Sequence, residues 1–563
     1  MSAVLPVLSA RLTAAVETTF GLPGVDPELR PATKPEFGHF QTNLALRLAK
    51  IVGLPPREIA VRLAAALEVS DLCAQPEIAG PGFLNLTLLP TTLAAGVNKI
   101  GGPLRERGER VVVDYSQPNV AKQMHVGHLR STVIGDALCN VLRFAGYQVI
   151  RQNHVGDWGT QFGMMVEQLL DEGTEVDALD LDGMQLLYQR SRKHFDSDPE
   201  FADRSRLRVV LLQSGDSQTV EIWQQLVEYS LTEFDRVYAL LGSPLTRADV
   251  VGESAYNDAL QGIVDELASA GLLTESGGAQ CAFLPGFTGR DGSPLPVIVR
   301  KSDGGFGYSA TDLAAVKHRV DDLHADRIVY VVDHRQSLHF QQIFALARAA
   351  GWLPPTIPAE HVAFGTVLGP NGKPFKTRDG GTVYLVTLLD EAVARAAALL
   401  ADRPGLDQDT VARAVGIGAI KYADLSNDRS NDYVFDLDRM VAMTGNTGPY
   451  LQYAHARLTR ILDKAGDSPT LVTVLTEPAE QRLALLLGGF TDTVVQVAET
   501  LQPHRLCTYL YDVATALSSF YETCPVLSSS GEVRASRLAL CAATRKVLHD
   551  GLGLLGITAP AAM

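Results

Sequence analysis

Hydrophobic positions change period along this chain, and the changes divide it. Val111 to Tyr115 and Tyr147 to Arg151 are short runs rich in β-branched residues, the composition that suits a packed strand. Between them Ile134, Leu138, Val141, Leu142 and Ala145 repeat at the 3.6-residue period of one buried helical face, and Gly146 follows as a natural cap. The pattern predicts strand, helix, strand, the unit of a parallel α/β sheet. From about Met164 to Leu241 the chain is polar and helix-periodic, which predicts a helical insertion within that fold. Leu388 to Leu400 is alanine-rich and helical, and from Thr410 onward strand signals nearly vanish, so the last third is expected to be a helical bundle.

Punctuation supplies the boundaries. Gly101, Gly102 and Pro103, then the charged RERGER run, part an amino-terminal module from the strand at Val111. The expected division is 1–108, then 109–395 with the insertion at about 164–241, then 396–563. A chain of 563 residues is too long for one core, so several domains are required.

Composition excludes more than it names. With 46% hydrophobic and 20% charged residues this is ordinary globular material. It has neither a long uncharged apolar run nor the basic start of a secretory signal, so a cytoplasmic protein without membrane attachment is expected. The cysteines, Cys73, Cys139, Cys281, Cys507, Cys524 and Cys541, form no CxxC pair, which argues against structural zinc and a disulfide framework. A net charge of −15 opposes nucleic acid binding in general. Local clusters can still reverse it: Arg457, Arg460 and Lys464 share a helical face, and Arg47, Lys50 and Arg57 lie together near the amino end. Each cluster also fits a plain solvated face.

The candidate chemistry sits where the first strand turns into its helix. His125-Val126-Gly127-His128 opens that helix, where unpaired backbone N–H groups and the helix dipole favour an anion. Gly127 removes a side chain where a base would approach the backbone, and both histidines can donate to phosphate oxygens. The four residues alone also fit local hydrogen bonding; with the helix start they point to ATP.

The surrounding text narrows this. SQPNVAKQMHVGHLRSTVIGDAL followed by NHVGDWGTQFG resembles the class I arginyl-tRNA synthetases. The resemblance continues in order through GHFQTNLALRLAK and GPGFLNL near the amino end, VIVRKSDGGFGYSATDLAAVKHR, YVVDHRQSLHFQQ and FGTVLGPNGKPFKTRDGGTVYL in the middle, and GNTGPYLQYAHARL and FYETCPVL in the tail. It implies a Rossmann-like catalytic domain with an α+β amino-terminal domain and an all-α carboxyl-terminal anticodon-binding bundle. It also implies ligation of L-arginine to tRNA(Arg) through an arginyl-adenylate, with ATP and Mg2+, by an enzyme expected to be a monomer. Adenylate formation would itself need tRNA.

Site residues follow from the same resemblance. His125, Gly127 and His128 would bind ATP, and His125 and His128 would stabilise charge on its phosphates. The usual KMSKS loop corresponds here to Gly372-Lys373-Pro374-Phe375-Lys376-Thr377-Arg378, which keeps Lys373 and Lys376 three apart but changes the residues between them. Lys122, three before His125, would compensate. Arginine binding would use Asn119 and Gln342 at the amino and carboxylate end, Tyr308, Asp312 and Glu253 at the guanidinium, with Asp114 near the substrate. Tyr450, Tyr453, Tyr521 and Met563 would meet the anticodon loop of tRNA.

Two departures stand out: His39 where the family commonly has aspartate, and Ala561 and Ala562 where it has a charged pair before the final methionine. Two other functions compete, a nucleotidyltransferase with the same phosphate chemistry and a noncatalytic RNA-binding paralogue. The tail blocks disfavour the first, and retention of both histidines and Asp312 disfavours the second.

Overall fold

The computed structural model describes residues 4–179, 181–369, 371–373, 375, 383–401, 403, 407–466 and 469–563. Its first unit is built from helix α1 (Val4–Phe20), strands β1 (Arg30–Pro31) and β2 (Phe40–Thr42), helices α2 (Leu44–Val52) and α3 (Pro56–Ala66), strands β3 (Glu77–Ala79) and β4 (Phe83–Leu86), and helix α4 (Pro90–Val97). The strands form an antiparallel sheet in the order β1-β2-β4-β3. Leu8, Leu12 and Val16 of α1, Leu44 of α2, and Leu84 and Leu86 of β4 have no exposed surface. Each such side chain stabilises by roughly 1.5 to 3 kcal/mol relative to exposure. His39 serves this fold: its Nδ1 accepts from the Leu88 N–H at 2.9 Å.

The second unit opens with β5 (Arg110–Asp114), α5 (Val126–Phe144) and β6 (Gln148–Gln152). Four helices follow, α6 (Thr160–Glu172), α7 (Leu181–Ser197), α8 (Pro199–Gln213) and α9 (Ser217–Leu241), then α10 (Asn257–Ser269). A separate antiparallel sheet, β7 (Thr274–Ser276), β8 (Ala279–Thr288) and β9 (Pro294–Arg300), precedes α11 (Tyr308–Asp321). The chain then returns through β10 (Arg327–Tyr330), α12 (Ser337–Ala349) and β11 (Ala359–His361). The central sheet is parallel throughout, in the order β11-β10-β5-β6. Val111, Val112 and Val113 of β5 are all fully buried, as a strand covered on both faces requires. Because β6 lies on one side of β5 and β10 on the other, the connections diverge at the carboxyl ends of β5 and β10, the place where such sheets leave a crevice.

The third unit is helical: α13 (Leu385–Leu400), α14 (Gln408–Leu425), α15 (Leu437–Met440), α16 (Gly448–Ala465), α17 (Pro478–Leu487), α18 (Phe490–Thr500), α19 (His504–Thr523) and α20 (Gly531–Leu554). Short strands β12 (Val367–Leu368) and β13 (Tyr433–Val434) pair in parallel beside it. Helix α5 departs from its one-face pattern: α14, α18 and α20 pack on the side turned from the sheet, and polar residues such as Arg130 and Asp136 are buried with the apolar ones. Asn98, just beyond α4, exchanges two hydrogen bonds with the Val472 backbone, both at 2.8 Å, and ties the first unit to the bundle. Among the described residues no helix is long and apolar enough to cross a membrane.

Candidate active site

His125 is the N-cap of α5, in extended backbone at φ −119° and ψ 175°. Its Nδ1 accepts from the Gly127 N–H, and the His128 Nδ1 accepts from the His125 N–H, each at 3.0 Å. A nitrogen that accepts carries no proton, so both rings keep theirs on Nε2. Burial lowers the basicity of both, His128 to about 3, with neighbouring positive charge adding to the effect. The signature is therefore a pair of neutral donors, their centroids 4.1 Å apart, at the positive end of a helix. Gly127 is required by this packing: a Cβ there would stand 2.8 Å from His125 Cε1.

The loop before the signature is strained. Ser116, Gln117 and Ala121 have φ of 75°, 51° and 64°, each costing on the order of 1 kcal/mol or more for a residue with a side chain. Gln117 N–H donates to Asn153 Oδ1 at 3.0 Å and Ser116 N–H to Ser131 Oγ at 2.8 Å. Two backbone hydrogen bonds at 3.1 Å, Val120 N–H to Gly156 and Gly156 N–H to Pro118, complete the support. Asn119 lies against Gly156, where any Cβ would strike its amide. Lys122 places its ammonium 4.7 Å from the ring centre of Tyr188, from α7.

The acidic part of the crevice comes from two other elements. Asp157 accepts from Ser254 N–H at 2.9 Å and Ser254 Oγ at 2.6 Å, while Glu253 N–H donates to Val155 at 3.1 Å. These bonds pin a short turn with Glu253 at its head. Burial, with Asp312 and Asp157 adding repulsion, pushes the Glu253 carboxyl up to about 8, and it has no cationic partner among the described residues. Asp312, on α11, holds His339 Nε2 of α12 at 2.6 Å. Tyr308, one turn before Asp312, is 72% exposed, and burial of its hydroxyl with the charge of Glu253 raises its pKa. Gln342, one turn beyond His339, is buried. Two adjacent carboxylates, one short of positive charge, suit a planar cation.

Other expected residues fall elsewhere. Asp114 is not an open carboxylate: its Oδ2 accepts from Arg319 Nη2 at 2.6 Å, and both side chains are buried. Arg319 also donates to Gln152 Oε1 at 2.5 Å and lies 4.7 Å from the Tyr330 ring centre, so this pair braces the ends of three strands. Lys373 closes a turn in which Gly369 N–H donates to its carbonyl at 2.7 Å; Lys376 lies outside the described residues. No group of His, Cys, Asp and Glu that could hold a metal occurs among the described residues.

A second pocket lies between α16 and α19. Tyr450, Tyr453, Arg457 and Tyr521 line it, with the Arg457 guanidinium 3.6 Å from the Tyr521 ring centre. Tyr453 and Tyr521 are exposed, whereas the Tyr450 hydroxyl is held by Ser518 at 3.2 Å and its ring packs on the core. Met563 does not line this pocket; it packs on α13 and α14 around Ala396, Leu400 and Val411.

Tyr188, Asp157 and Arg335 were not singled out from sequence. Tyr188 belongs to an insertion without a motif, and Asp157 acts only through Ser254. Arg335, paired with Asp333, reaches close enough to His125 to lower its basicity. His339 lay within a matched block, three before Gln342, and its pairing with Asp312 needed the fold.

A parallel sheet whose switch point carries paired neutral histidines at a helix start, followed by a helical bundle with an aromatic pocket, defines a class I aminoacyl-tRNA synthetase. Residues 90–437 match the description "tRNA synthetases class I (R), catalytic domain", residues 7–88 "Arginyl tRNA synthetase N terminal domain" and residues 451–563 "DALR anticodon binding domain". The chain is 55% identical to an arginine–tRNA ligase of Cutibacterium acnes, over 98% of this chain and 99% of that protein. It is 52% identical to one of Thermobifida fusca, with 99% of each covered. The solved arginyl-tRNA synthetase of Plasmodium falciparum superposes with a TM-score of 0.85 at 30% identity, covering 100% of this chain and 99% of that one. The chain belongs to the arginyl-tRNA synthetase family.

Proposed function

We propose that the chain joins L-arginine to tRNA(Arg) in two steps. The arginine carboxylate attacks the α-phosphorus of ATP, forming arginyl-adenylate and releasing pyrophosphate; a ribose hydroxyl at the tRNA end then attacks the acyl carbon and AMP leaves. The observation that carries this reading is that the same domain holds two neutral Nε2–H donors, His125 and His128, at a helix start and a buried Glu253 that feels the charge of Asp312 and has no cationic partner among the described residues.

In this reading His125, Gly127 and His128 cradle the ATP phosphates, and His125 and His128 donate to the oxygens that gain charge. Lys122, Lys373 and Lys376 balance the departing pyrophosphate. Mg2+, which this class of reaction implies, would come with ATP and offset part of its phosphate charge, alongside Lys122. Glu253 and Asp312 take the guanidinium, with Tyr308 over it, and Asn119 and Gln342 hold the amino and carboxylate end. Tyr453 and Tyr521 offer faces to unstacked anticodon bases, with Tyr450 as the pocket wall. Met563 contributes by fixing the tail beside α13 and α14. One chain supplies every group, which supports action as a monomer, in the cytoplasm where tRNA is charged.

The test of the site assignment is Lys122→Ala assayed by pyrophosphate exchange with tRNA present. Adenylate formation should slow at least tenfold while arginine affinity barely changes, because a phosphate charge is lost and no arginine contact. An unchanged exchange rate would remove the role given to Lys122.

A further inference from the structure

Tyr238 and Ser230, both on α9 of the helical insertion, grip the strained Ser116 to Ala121 loop from outside the parallel sheet. Tyr238 Oη lies 2.8 Å from Ser116 Oγ and accepts from Asn153 Nδ2 at 2.9 Å. Ser116 Oγ is 2.9 Å from Thr132 Oγ1, and Thr132 donates to the His128 carbonyl at 2.8 Å. An amide nitrogen only donates, a carbonyl only accepts, and each hydroxyl has one proton. All four contacts are therefore satisfied in a single direction: Asn153 to Tyr238, Tyr238 to Ser116, Ser116 to Thr132, Thr132 to the His128 carbonyl. At the other end of the loop, Ala121 N–H donates to Ser230 Oγ at 2.9 Å, and Ser230 passes its own proton to the Leu226 carbonyl at 2.9 Å. Ser116, Thr132, Asn153, Ser230 and Tyr238 are all buried, so any broken contact leaves a polar atom with no water to replace its partner.

We infer that Tyr238 and Ser230 are positioning residues for the amino-acid and ATP subsites, holding the left-handed turns at Ser116 and Ala121 and thereby aiming Asn119 and Lys122. The inference rests on the roles proposed for those two residues. Its physical basis is that residues with side chains stay left-handed only where the surroundings overdetermine them, and the two anchors sit at the two ends of the loop. The insertion thus does more than cover the sheet: one of its helices sets the geometry of the loop that carries both subsites.

Tyr238→Phe removes one oxygen and keeps the ring, and Ser230→Ala removes the other anchor. Tyr238→Phe should raise the arginine KM about tenfold with a smaller change for ATP, since a shift of ångström scale in a positioned group costs at least that much. Ser230→Ala, adjacent to Lys122, should show the opposite split. A purely structural contact would lower the unfolding midpoint, which is measured alongside, and leave both KM values alone. In an Asn119→Ala background Tyr238→Phe should add little to the arginine KM, because the group it aims is gone. If Asn119→Ala and Lys122→Ala leave wild-type constants, the proposed roles fall and this inference with them. If those variants are impaired but both anchor variants keep wild-type KM values, or Tyr238→Phe adds its full effect to Asn119→Ala, the inference alone is overturned.

Discussion

At the scale of single residues, protonation decides what this site can bind. The Glu253 carboxyl, pushed up to about 8 by burial beside Asp312 and Asp157, holds a proton in the free protein at neutral pH. On the proposed assignment of Glu253 to the guanidinium, the ionised form is needed, so arginine binding would expel that proton and affinity should rise with pH up to about 8, by at most about tenfold per unit. Arginine KM is accordingly expected to fall between pH 6.5 and 8.5 in wild type and to stay flat in Glu253→Gln, at a much higher value. The sign for stability is opposite. The raised carboxyl favours the folded state while protonated, and that contribution fades as pH rises from the unfolded value of about 4.5 through about 8. Added arginine should therefore raise the unfolding midpoint more at pH 8.5 than at pH 6.5; an equal shift at both would contradict the assignment. The histidines run the other way: burial lowers the basicity of both, so their contribution to stability grows as pH rises through the unfolded value of about 6.5.

At the scale of elements, much was legible and the reason is periodicity. The valines of β5, the helix from the signature to the capped turn at Gly146, and the helical tail are local patterns that a sequence carries openly. The strained loop was not legible, because no residue type announces left-handed backbone at Ser116, Gln117 and Ala121; partners distant in sequence hold it there. The partner of Asp114 was not legible for a related reason: the resemblance placed that carboxylate near the substrate, and only the fold brings Arg319, on α11, against it. The signature turn is the sharpest element to test. Gly127→Ala puts a Cβ against the His125 ring, so adenylate formation should drop at least tenfold while the unfolding midpoint moves by only a few degrees. Wild-type activity in that variant would show that the His125 ring orientation does not matter.

At the scale of the whole molecule, the signature helix is an internal strut as well as the cover of a sheet. Arg130 and Asp424 form a fully buried pair between α5 and α14, at 3.1 Å, and Lys421 lies one turn away on the same face of α14, donating to the Gly556 carbonyl at 2.7 Å. Asp136 of α5 feels that lysine, yet burial still lifts its carboxyl to about 6. The periodicity that located α5 could not reveal this second contact surface, since its partners come some 290 positions later in the chain. Breaking the pair one-sidedly by Asp424→Ala should cost about 3 to 5 kcal/mol by urea unfolding, whereas Arg130→Met with Asp424→Leu should cost far less. Equal losses in the two proteins would mean that packing, not the stranded charge, governs this junction.

In the proposed function an ATP site of two neutral histidines and an acidic pocket act together on arginine. ATP–pyrophosphate exchange with each of the twenty amino acids, at saturating tRNA(Arg), compares wild type with Asp312→Asn most directly. Exchange is expected with arginine alone in wild type, with a fall of at least a hundredfold in kcat/KM for arginine in the variant, because a guanidinium site left short of a carboxylate loses its charged partner. Exchange with lysine at a comparable rate, or a variant that activates arginine as well as wild type does, would contradict the proposed function.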